Sequence, residues 1–482
     1  MGKRAWVLLV CILALTSGCY VLRPSTGGGK TTFTPPRQAD PNDVALPNGY
    51  KIEVVAQNLT FPTGVTFDES GQMYVVESGY CYGEVFNTPK LLRVGEKGAT
   101  TQVAVGATNG PWTGVTFHDG DFYVSEGGVL EGGKILRISK SGETRAIVEG
   151  MPSFGDHHTD APVVHDGWIY FGQGTASNSG IVGEDNAKFG WLKRNPDFHD
   201  IPAHDVTLLG EAYKTRDVIS TNKSRKEMWT TGFAPYGSGL KEPIVKGQLK
   251  ASGAIYRVKP DGADLQLVAW GFRNPFSLAF GSDGQLYATD NGYDERGSRP
   301  IWGAPDLLWR VQPNTWYGWP DFSGNEPVYN GRFTKPFSKR PKALMAKHPN
   351  IPPAPITKFP VHSSADGIDF SHNEKFGHVG EAFVALFGDQ ATDVGKLLHP
   401  VGFSVVRVNT TNGVTEIFAI NKKDHGPASK IKGNGLERPV SVKFNPAGDA
   451  LYIVDFGVLI ESGGAKPETG TGVIWKITRT NQ

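Results

Sequence analysis

A short pattern that recurs six times constrains the fold of this chain more than any other feature of its sequence. Each copy is a strand-like run, a turn rich in Asp, Gly or Asn, and a second run with an aromatic residue near its start. Turns of this composition between such runs are typical of β-hairpins. The copies occupy residues 62–77, 112–126, 159–172, 274–290, 366–387 and 439–455, the fifth with a longer turn.

Further pairs of strand-like runs follow several copies and complete units of about four strands. These pairs are 134–138 with 145–148, 253–258 with 265–270, and 404–408 with 414–418. About six antiparallel four-stranded units in series are the signature of a β-propeller. The sequence therefore predicts an all-β fold, a six-bladed β-propeller of four-stranded antiparallel blades, over residues 47–480.

The spacing of the copies changes once along the chain. It is about 50 residues at first, as expected for propeller blades, and about twice that between the third and fourth copies. The sequence therefore predicts an insertion of about residues 176–249 between blades three and four. The insertion is expected either to cover the mouth of a pocket or to mediate association.

The first 46 residues indicate export and attachment to a membrane. Two basic residues precede an apolar run at 5–15 that is too short to span a bilayer and has the shape of a secretory signal. Small residues then precede Cys19, which resembles the lipobox of bacterial lipoproteins; a plain export signal is the alternative. We expect a signal peptide at 1–19, lipidation of Cys19 and a flexible tether at 20–46. The protein is thus expected to be an exported bacterial lipoprotein at the periplasm or cell surface, in contact with the membrane only through this anchor.

Charge and cysteine content narrow the possibilities further. The formal net charge is +1, which gives no indication of a nucleic-acid partner. Of the three cysteines, Cys11 lies in the leader and Cys19 is expected to be lipidated, so Cys81 alone remains in the mature chain. One cysteine cannot form an internal disulfide, and the stability of the fold must come from its core.

A first group of candidate site residues, 156–160, precedes the third hairpin. It contains His157, His158 and Asp160. A histidine with a carboxylate nearby can act as a general base, because its pKa lies near physiological pH and the acidic neighbour orients the ring. A structural histidine and a metal ligand are the alternatives. Adjacent side chains on an extended chain point to opposite sides, so His157 and His158 are poorly placed to share one metal.

Two further groups flank the fourth hairpin. Arg273 and Asn274 directly precede it and carry donors suited to carboxylate or quinone oxygens. The loop 290–297 follows it and is rich in carboxylates, amides and glycine, a composition that suits calcium. Tyr317 and Trp319 lie on the next segment, where they can stack on a flat ligand or pack in the core.

Together these groups resemble the soluble quinoprotein glucose/sorbosone dehydrogenases, six-bladed propellers that use pyrroloquinoline quinone (PQQ) and calcium. The resemblance is carried by 150–157, by Gly-Phe-Arg-Asn-Pro at 271–275, and by 291–295 with Tyr-Gly-Trp-Pro at 317–320. It implies that the protein oxidises a sugar or other polyol, a small-molecule substrate, and passes the electrons to an acceptor that the sequence does not identify.

The resemblance also implies roles for individual residues. His157, in the group with Asp160, would be the catalytic base while a hydride passes to the quinone. Arg273, Asn274, Trp319 and Arg438 would contact PQQ. Calcium would be held in the loop that contains Gly292, Tyr293, Asp294 and Glu295, through the carbonyls of the first two.

Two departures from the family pattern concern the carboxylates of PQQ. Glucose-oxidising members carry a lysine on the fifth blade, where this chain has Leu-Phe-Gly-Asp at 386–389. They also carry two arginines on the sixth blade, of which Arg438 matches the first and Val440 replaces the second. PQQ is a tricarboxylate, so the missing cations weaken the match. The chain therefore resembles the sorbosone-dehydrogenase branch, with an uncharacterised relative of the family as the alternative.

Two other functions are compatible with the sequence. A calcium-dependent lactonase-type hydrolase would hold an axial calcium with residues at comparable strand ends, namely Glu77, Glu126, Asn274 and Asp290. A non-catalytic propeller that binds a carbohydrate or a partner would keep the scaffold without the cofactor contacts.

Overall fold

The computed structural model describes residues 23–28, 33–81, 85–220, 226–239, 242–461 and 465–480. The predicted signal peptide and Cys19 lie outside these residues. About 4% of the chain is helical, and six antiparallel sheets form a six-bladed β-propeller, as predicted. The innermost strands of successive blades contact one another all the way around the ring.

The blades, each given from its innermost to its outermost strand, have the following bounds. Blade one is Pro62–Phe67, Met73–Glu77, Lys90–Val94 and Thr100–Val105; blade two is Trp112–His118, Asp121–Glu126, Gly133–Ser139 and Thr144–Met151. Blade three is Val163–His165, Trp168–Gln173, Ala254–Val258 and Gln266–Trp270; blade four is Ser277–Phe280, Leu286–Asp290, Pro305–Val311 and Thr357–Val361. Blade five is Ala365–Phe370, Ala382–Leu386, Ser404–Val408 and Thr415–Asn421; blade six is Pro439–Phe444, Ala450–Asp455, Gly472–Arg479 and Tyr50–Leu59.

The remaining elements are short. The strand pairs are Tyr80–Cys81 with Val85–Phe86, Val206–Thr207 with Ile244–Val245, Ala212–Arg216 with Glu227–Thr231, Phe322–Ser323 with Glu326–Pro327, and Leu459–Glu461 with Ala465–Pro467. Within the described residues, the α-helices are Asp185–Lys188 and Trp191–Arg194, and the 3-10 turns are Pro41–Asp43, Glu96–Gly98 and Gly331–Phe333.

The inner hairpins form for local reasons. In blade one, the Asp68 carboxylate accepts hydrogen bonds from the backbone N–H groups of Ser70 and Gln72, at 2.9 and 3.0 Å. Gly71 between them has a φ of +80°, a conformation that glycine adopts without steric cost. The aromatic residues at the start of the second strands then pack between blades: the rings of Tyr74 and Phe122 are 4.5 Å apart.

The ring is closed by a strand from the beginning of the propeller. Tyr50–Leu59 is the outermost strand of blade six and pairs with Gly472–Arg479 from the end of the chain. This pairing joins the two ends of the domain, so opening the ring would require breaking a long antiparallel ladder.

The insertion lies inside the third blade. The prediction placed it between blades three and four, whereas the structure places it between the second and third strands of blade three. It contains both of the described α-helices, and its apolar residues, including the fully buried Trp191, form a cluster with Tyr80 and Val129 from the loops of blades one and two. The predicted position was wrong because the repeated hairpin marks only the first two strands of a blade, and the third and fourth strands of blade three follow the insertion.

Part of the segment predicted to be a flexible tether packs on the propeller. Val44–Ala45 pairs with the outermost strand of blade five. The Arg37 guanidinium is buried and lies 2.6 Å from the Asp455 carboxylate. Residues 33–46 are therefore an ordered strap over blades five and six in this structure. In the part of the chain that the structure describes, no helix has the length and apolarity needed to cross a membrane.

Candidate functional site

The predicted site groups around His157, Arg273 and Gly292 come from loops on one face of the propeller, whereas Trp319 lies on the long connection between the third and fourth strands of blade four. In an antiparallel blade, the connection from the second to the third strand leaves from the same face as the connection to the next blade. Residues 156–160, 273–274 and 362–364 lie on connections between blades, and 291–297 and 387–394 lie on connections of the other kind. On this face the loops surround a cavity of about 330 Å³, here called the well.

The structure brings six of the predicted site residues to the well and leaves four away from it. Lining the well are His157, Asp160, Arg273, Asn274, Gly292 and Asp294. Away from its lining are Tyr293, Glu295, Trp319 and Arg438. The three groups recognised in the sequence therefore share one cavity, although not every member faces it.

The imidazole of His157 is held through one ring nitrogen. Its Nδ1 lies 3.0 Å from the carbonyl oxygen of Thr175, and because a carbonyl only accepts, Nδ1 carries the proton. Burial and the cations of Arg273 and Arg296 hold the pKa of His157 well below its usual value. The ring is thus neutral, and its unprotonated Nε2 is left for a ligand in the well.

Asp160 does not orient His157. No described hydrogen bond joins the two side chains, and the Oδ2 of Asp160 is buried without a partner. Burial and the carboxylates of Asp366 and Asp290 raise the pKa of Asp160 well above its usual value. The orienting role expected of Asp160 belongs to Thr175, a residue that the sequence reasoning did not single out.

Arg273 is fixed in the wall of the well. Its Nε and Nη2 donate to the carbonyl and side-chain oxygens of Asn178, at 3.1 and 3.0 Å, and Nη2 lies 2.9 Å from Asp294. Nη1 makes no hydrogen bond within the described part of the protein. The next residue, Asn274, donates to Asn291 at 2.7 Å, and its carboxamide oxygen is buried without a partner.

Arg296 is a central residue that the sequence reasoning missed. Its guanidinium pairs with Asp156 next to His157, with Asp185 of the insertion and with Asp294 of the 290–297 loop. One partly buried cation thereby joins its own loop to two other segments around His157. The only sequence signal was its place beside Asp294, because its partners are up to 140 positions away.

The candidate cation ligands of the 290–297 loop include two backbone carbonyls. The carbonyl oxygens of Gly292 and Tyr293 accept none of the described hydrogen bonds, which leaves them available as ligands. The Asp294 side chain is paired with arginines, and Glu295 lies 3.6 Å from His362. Among the described residues, no group of three or more His, Cys, Asp or Glu side chains is arranged to hold a metal ion.

Trp319 and Arg438 are packed against other residues outside the lining of the well. Trp319 packs edge-on against Phe233, with ring centroids 5.7 Å apart, and borders a narrow cleft beside the well. Arg438 is 1% exposed, donates to the carbonyl oxygens of Gly388 and Asp389, and lies behind Phe387, 4.9 Å from that ring. Neither residue reaches the well in this structure.

Acidic residues at the ends of the second strands of two blades accept hydrogen bonds from the loop that precedes the innermost strand of the same blade. Asp290 accepts hydrogen bonds from the backbone N–H groups of Arg273 and Asn274 and from the indole of Trp309. Asp455 does the same for the corresponding loop of blade six, with the indole of Trp475.

Two residues proposed as axial metal ligands are engaged in a similar way. Glu77 accepts from the backbone of Thr60, and Glu126 accepts from Asn109 and the Trp112 indole. Together with Asp290, three of the four residues in the hydrolase hypothesis therefore accept hydrogen bonds that stabilise their blades.

The well has one charged wall and one apolar wall. The charged wall, from blades three and four and the insertion, carries His157, Arg273 and Arg296. The opposite wall, mainly from blades five and six, is lined by Phe276, Phe387, Val440, Phe456 and Leu459. A ligand that fits both walls combines polar groups with an apolar face, as the ring of a sugar does.

Comparison with known proteins identifies relatives of the fold but no family to which this chain belongs. No protein-family model matches it, and no curated protein matches it. The PQQ-bound aldose sugar dehydrogenase from Streptomyces coelicolor is 16% identical, with a TM-score of 0.51, over 90% of this chain and 99% of that chain. The holo PQQ domain of pyranose dehydrogenase from Coprinopsis cinerea is 15% identical, with a TM-score of 0.53, over 93% and 98% of the two chains.

A third solved structure extends the comparison. The calcium structure of a carbohydrate-active enzyme of family AA12 from Trichoderma reesei is 14% identical, with a TM-score of 0.54, over 93% of this chain and 98% of that chain. At such low identity these likenesses show that the propeller is shared along nearly the whole length of each chain.

Proposed function

We propose that this protein is an oxidoreductase that oxidises a hydroxyl group of a sugar or polyol, with PQQ as the acceptor of the hydride. The observation that carries the proposal is the neutral imidazole of His157, whose free Nε2 shares a buried well with the guanidinium of Arg273. A base beside a fixed cation suits a reaction in which a hydroxyl loses a proton while negative charge develops nearby. The structural neighbours that hold PQQ support the choice of cofactor.

The residues of the well fit the quinone end of PQQ. Arg273 has one free donor, Nη1, and the polar wall around it is rigid because Asn178 and Asp294 hold its other nitrogens. PQQ would supply a two-electron quinone that takes up hydride. Arg273 and Asn274 would hold its oxygens.

The carboxylate groups of PQQ would compete with acidic side chains for the cations of the well. Among the described residues that line the well, the cations are Lys188, Arg273 and Arg296. Lys188 is paired with Asp393, and the two arginines are paired as described above. The three carboxylates of PQQ would therefore have to displace these partners. A calcium ion held by the free carbonyls of Gly292 and Tyr293 would offset part of this charge.

The roles of the protein groups follow from their positions. His157 would accept the hydroxyl proton at Nε2, while the carbon that bears the hydroxyl loses hydride and becomes a carbonyl carbon. Asp160 Oδ2 and Asn274 Oδ1 are buried acceptors without partners, and both residues line the well. They would accept hydrogen bonds from further hydroxyl groups, which favours a polyhydroxylated substrate.

The substrate class and the cellular location are also part of the proposal. We propose a sorbosone- or aldose-type substrate, because the apolar wall can cover the C–H face of a sugar ring. We also propose that the protein is an exported lipoprotein attached through Cys19, which rests on the N-terminal sequence alone.

The test is a titration of the metal-free protein with PQQ and calcium. Trp191 lines the well and should report binding through intrinsic fluorescence. We expect a PQQ-dependent increase in melting temperature and dye-linked oxidation of an aldose or polyol. No thermal shift, together with no oxidation of any sugar or alcohol, would contradict the proposal, and hydrolysis of a lactone without quinone would point to the hydrolase instead.

A further inference from the structure

A second contact of the N-terminal segment occurs at the rim of the well. Thr26 donates its backbone N–H to the carbonyl of Leu397 at 2.8 Å. The Ser25 hydroxyl donates to the carbonyl of Leu397 and accepts from the N–H of Leu397, each at 3.2 Å. Two residues further on, the N–H of Gly28 lies 2.9 Å from both oxygens of the Asp389 carboxylate. Residues 25–28, here called the docking segment, are thereby attached to the loop that follows the second strand of blade five.

The docking segment fits this place closely. A Cβ atom on Gly27 would lie 2.3 Å from the Asp389 carboxylate, and one on Gly28 would lie 2.1 Å from the ring of Phe403. Only residues without side chains can approach the loop this closely. Lys430 adds a hydrogen bond of 2.9 Å to the carbonyl of Thr26. The contact is therefore specific to the sequence of the segment.

The loop that receives the docking segment also borders the well. Gln390, Asp393 and Val394 lie on it and line the cavity. Because the loop connects the second and third strands of its blade, it belongs to the same face as His157 and Arg273. The docking segment therefore meets the propeller on the face that carries the well.

The distance from the docking segment to the predicted lipid is short. Cys19 precedes Ser25 by six residues. A fully extended chain spans at most about 3.6 Å per residue, so the two residues lie within about 22 Å of each other in any conformation. A lipid on Cys19 would hold this rim within that distance of the bilayer surface.

We infer that the face with the well is held toward a phospholipid bilayer, and that molecules enter and leave the well at the membrane surface. The inference rests on the predicted lipidation of Cys19 and is independent of the proposed redox chemistry. An electron acceptor or substrate dissolved in the membrane could then reach the well without diffusing through bulk water.

The insertion supports this orientation. The turn end of its hairpin, Ala212–Arg216 with Glu227–Thr231, lies against the first helix, because Thr215 and Arg216 contact Glu184 at the start of that helix. Asp185 and Lys188 of the same helix line the well. Trp229 on this hairpin is 56% exposed and Ile219 near it is 43% exposed. Exposed tryptophan is favoured at membrane interfaces, where its ring meets both headgroups and acyl chains.

The test measures which face of the lipidated full-length protein approaches the bilayer. Single cysteines replace the exposed His399, on the blade-five loop that receives the docking segment, and Ile219 on the insertion, and are labelled with a fluorophore. Controls on the opposite face replace the exposed Ser282 and Thr411, which lie on the turns between first and second or third and fourth strands. The protein is bound to phosphatidylethanolamine/phosphatidylglycerol vesicles that contain a nitroxide-labelled lipid.

We expect at least twofold stronger quenching at His399→Cys and Ile219→Cys than at Ser282→Cys and Thr411→Cys. Equal quenching at the four positions, or stronger quenching on the opposite face, would overturn the inference. Mass spectrometry that shows an unmodified Cys19 in the mature protein would overturn it as well. The labelled parent protein corrects for background reaction at the buried Cys81.

A second variant tests whether the docking segment sets the orientation. Gly28→Val would place a side chain in the Phe403 ring and release the segment, so that the difference in quenching between the faces should be lost. Gly239→Val is the matched control, because a Cβ atom there meets open space, and the difference should persist. A Gly28→Val protein that keeps the full difference would show that the docking segment does not orient the propeller.

Discussion

The Nδ1 nitrogen of His157 lies 3.0 Å from the carbonyl oxygen of Thr175, and this contact decides which ring nitrogen a ligand meets. Since Nδ1 must donate, Nε2 is an acceptor directed away from the contact. Thr175 follows the second strand of blade three and begins the insertion. The segment that leads into the insertion therefore also orients the imidazole of His157 and keeps the proton on Nδ1.

The first prediction concerns His157 itself. His157→Gln should lower kcat by roughly 10²- to 10⁴-fold, the usual contribution of a general base. Gln can still donate its amide to Thr175, so the surrounding wall should persist and PQQ affinity should change little. Steady-state kinetics and fluorescence titration on the same preparation separate the two effects.

His399→Gln is the matched control for this substitution, because His399 is exposed on the rim and should be silent. Unchanged turnover in the His157→Gln protein would exclude the imidazole as the base. A large loss of PQQ affinity without loss of kcat would instead indicate a binding role.

The second prediction uses Arg296 to move the pKa of His157. The cation of Arg296 contributes to holding this pKa below its usual value. Arg296→Gln removes that cation and leaves the carboxylates near His157 less compensated, so the pKa should rise. The acidic limb of the kcat/KM profile should then move to higher pH, because protonated His157 cannot accept a proton.

Arg296→Lys keeps the charge and should shift the profile less than Arg296→Gln. A lower rate with an unchanged pH profile in the Gln variant would show that Arg296 acts only by holding the three segments together. Thermal unfolding measured in parallel identifies any loss of folded protein.

The parts of the fold that could be predicted are those encoded locally. Each inner hairpin carries its own turn and strand residues, so six copies predicted six blades. His157, Arg273 and Gly292 were found because each directly follows or precedes such a hairpin. A position next to a strand end is visible in the sequence and also fixes which face of the propeller a residue occupies.

The parts that could not be predicted depend on contacts between distant residues. Tyr50–Leu59 pairs with Gly472–Arg479, and no short-range pattern indicates this closure. Two of the three carboxylate partners of Arg296, Asp156 and Asp185, come from distant segments of the chain. The expectation for Arg438 was based on alignment of a motif, which cannot show that Phe387 separates this side chain from the well.

The third prediction concerns the dependence of stability on pH. Burial and neighbouring carboxylates raise the pKa of Asp160 well above 3.8. Between that value and the raised pKa, the folded protein binds more protons at this site than the unfolded chain does. The contribution of Asp160 to stability is therefore present at low pH and is lost as pH rises through the folded pKa.

Asp160→Asn removes this titration with little change in shape. The variant should match the parent near pH 4 and become progressively more stable than the parent as pH rises, when both are unfolded in EDTA without PQQ. Denaturant unfolding across the pH range measures the difference. A difference that does not vary with pH, or that grows as pH falls, would contradict the raised pKa of Asp160.

The last prediction concerns a buried ion pair behind the well. The Arg299 guanidinium lies 2.9 Å from the Asp321 carboxylate, and both side chains are fully buried. Arg299 also donates to the carbonyl oxygens of Ser179 in the insertion and Lys342 in the long connection of blade four. Arg299→Met would leave Asp321 charged and buried, so the free energy of unfolding should fall by about 3–5 kcal/mol.

Two further variants identify the cause of that loss. Arg299→Met combined with Asp321→Asn removes both charges and should be less destabilised than Arg299→Met alone, because no uncompensated charge remains. Lys246→Met breaks an exposed pair with Asp205 and should leave unfolding unchanged. If the double variant were as unstable as the single one, the hydrogen bonds of Arg299 to the backbone carbonyls, and not its charge, would hold the insertion against blade four.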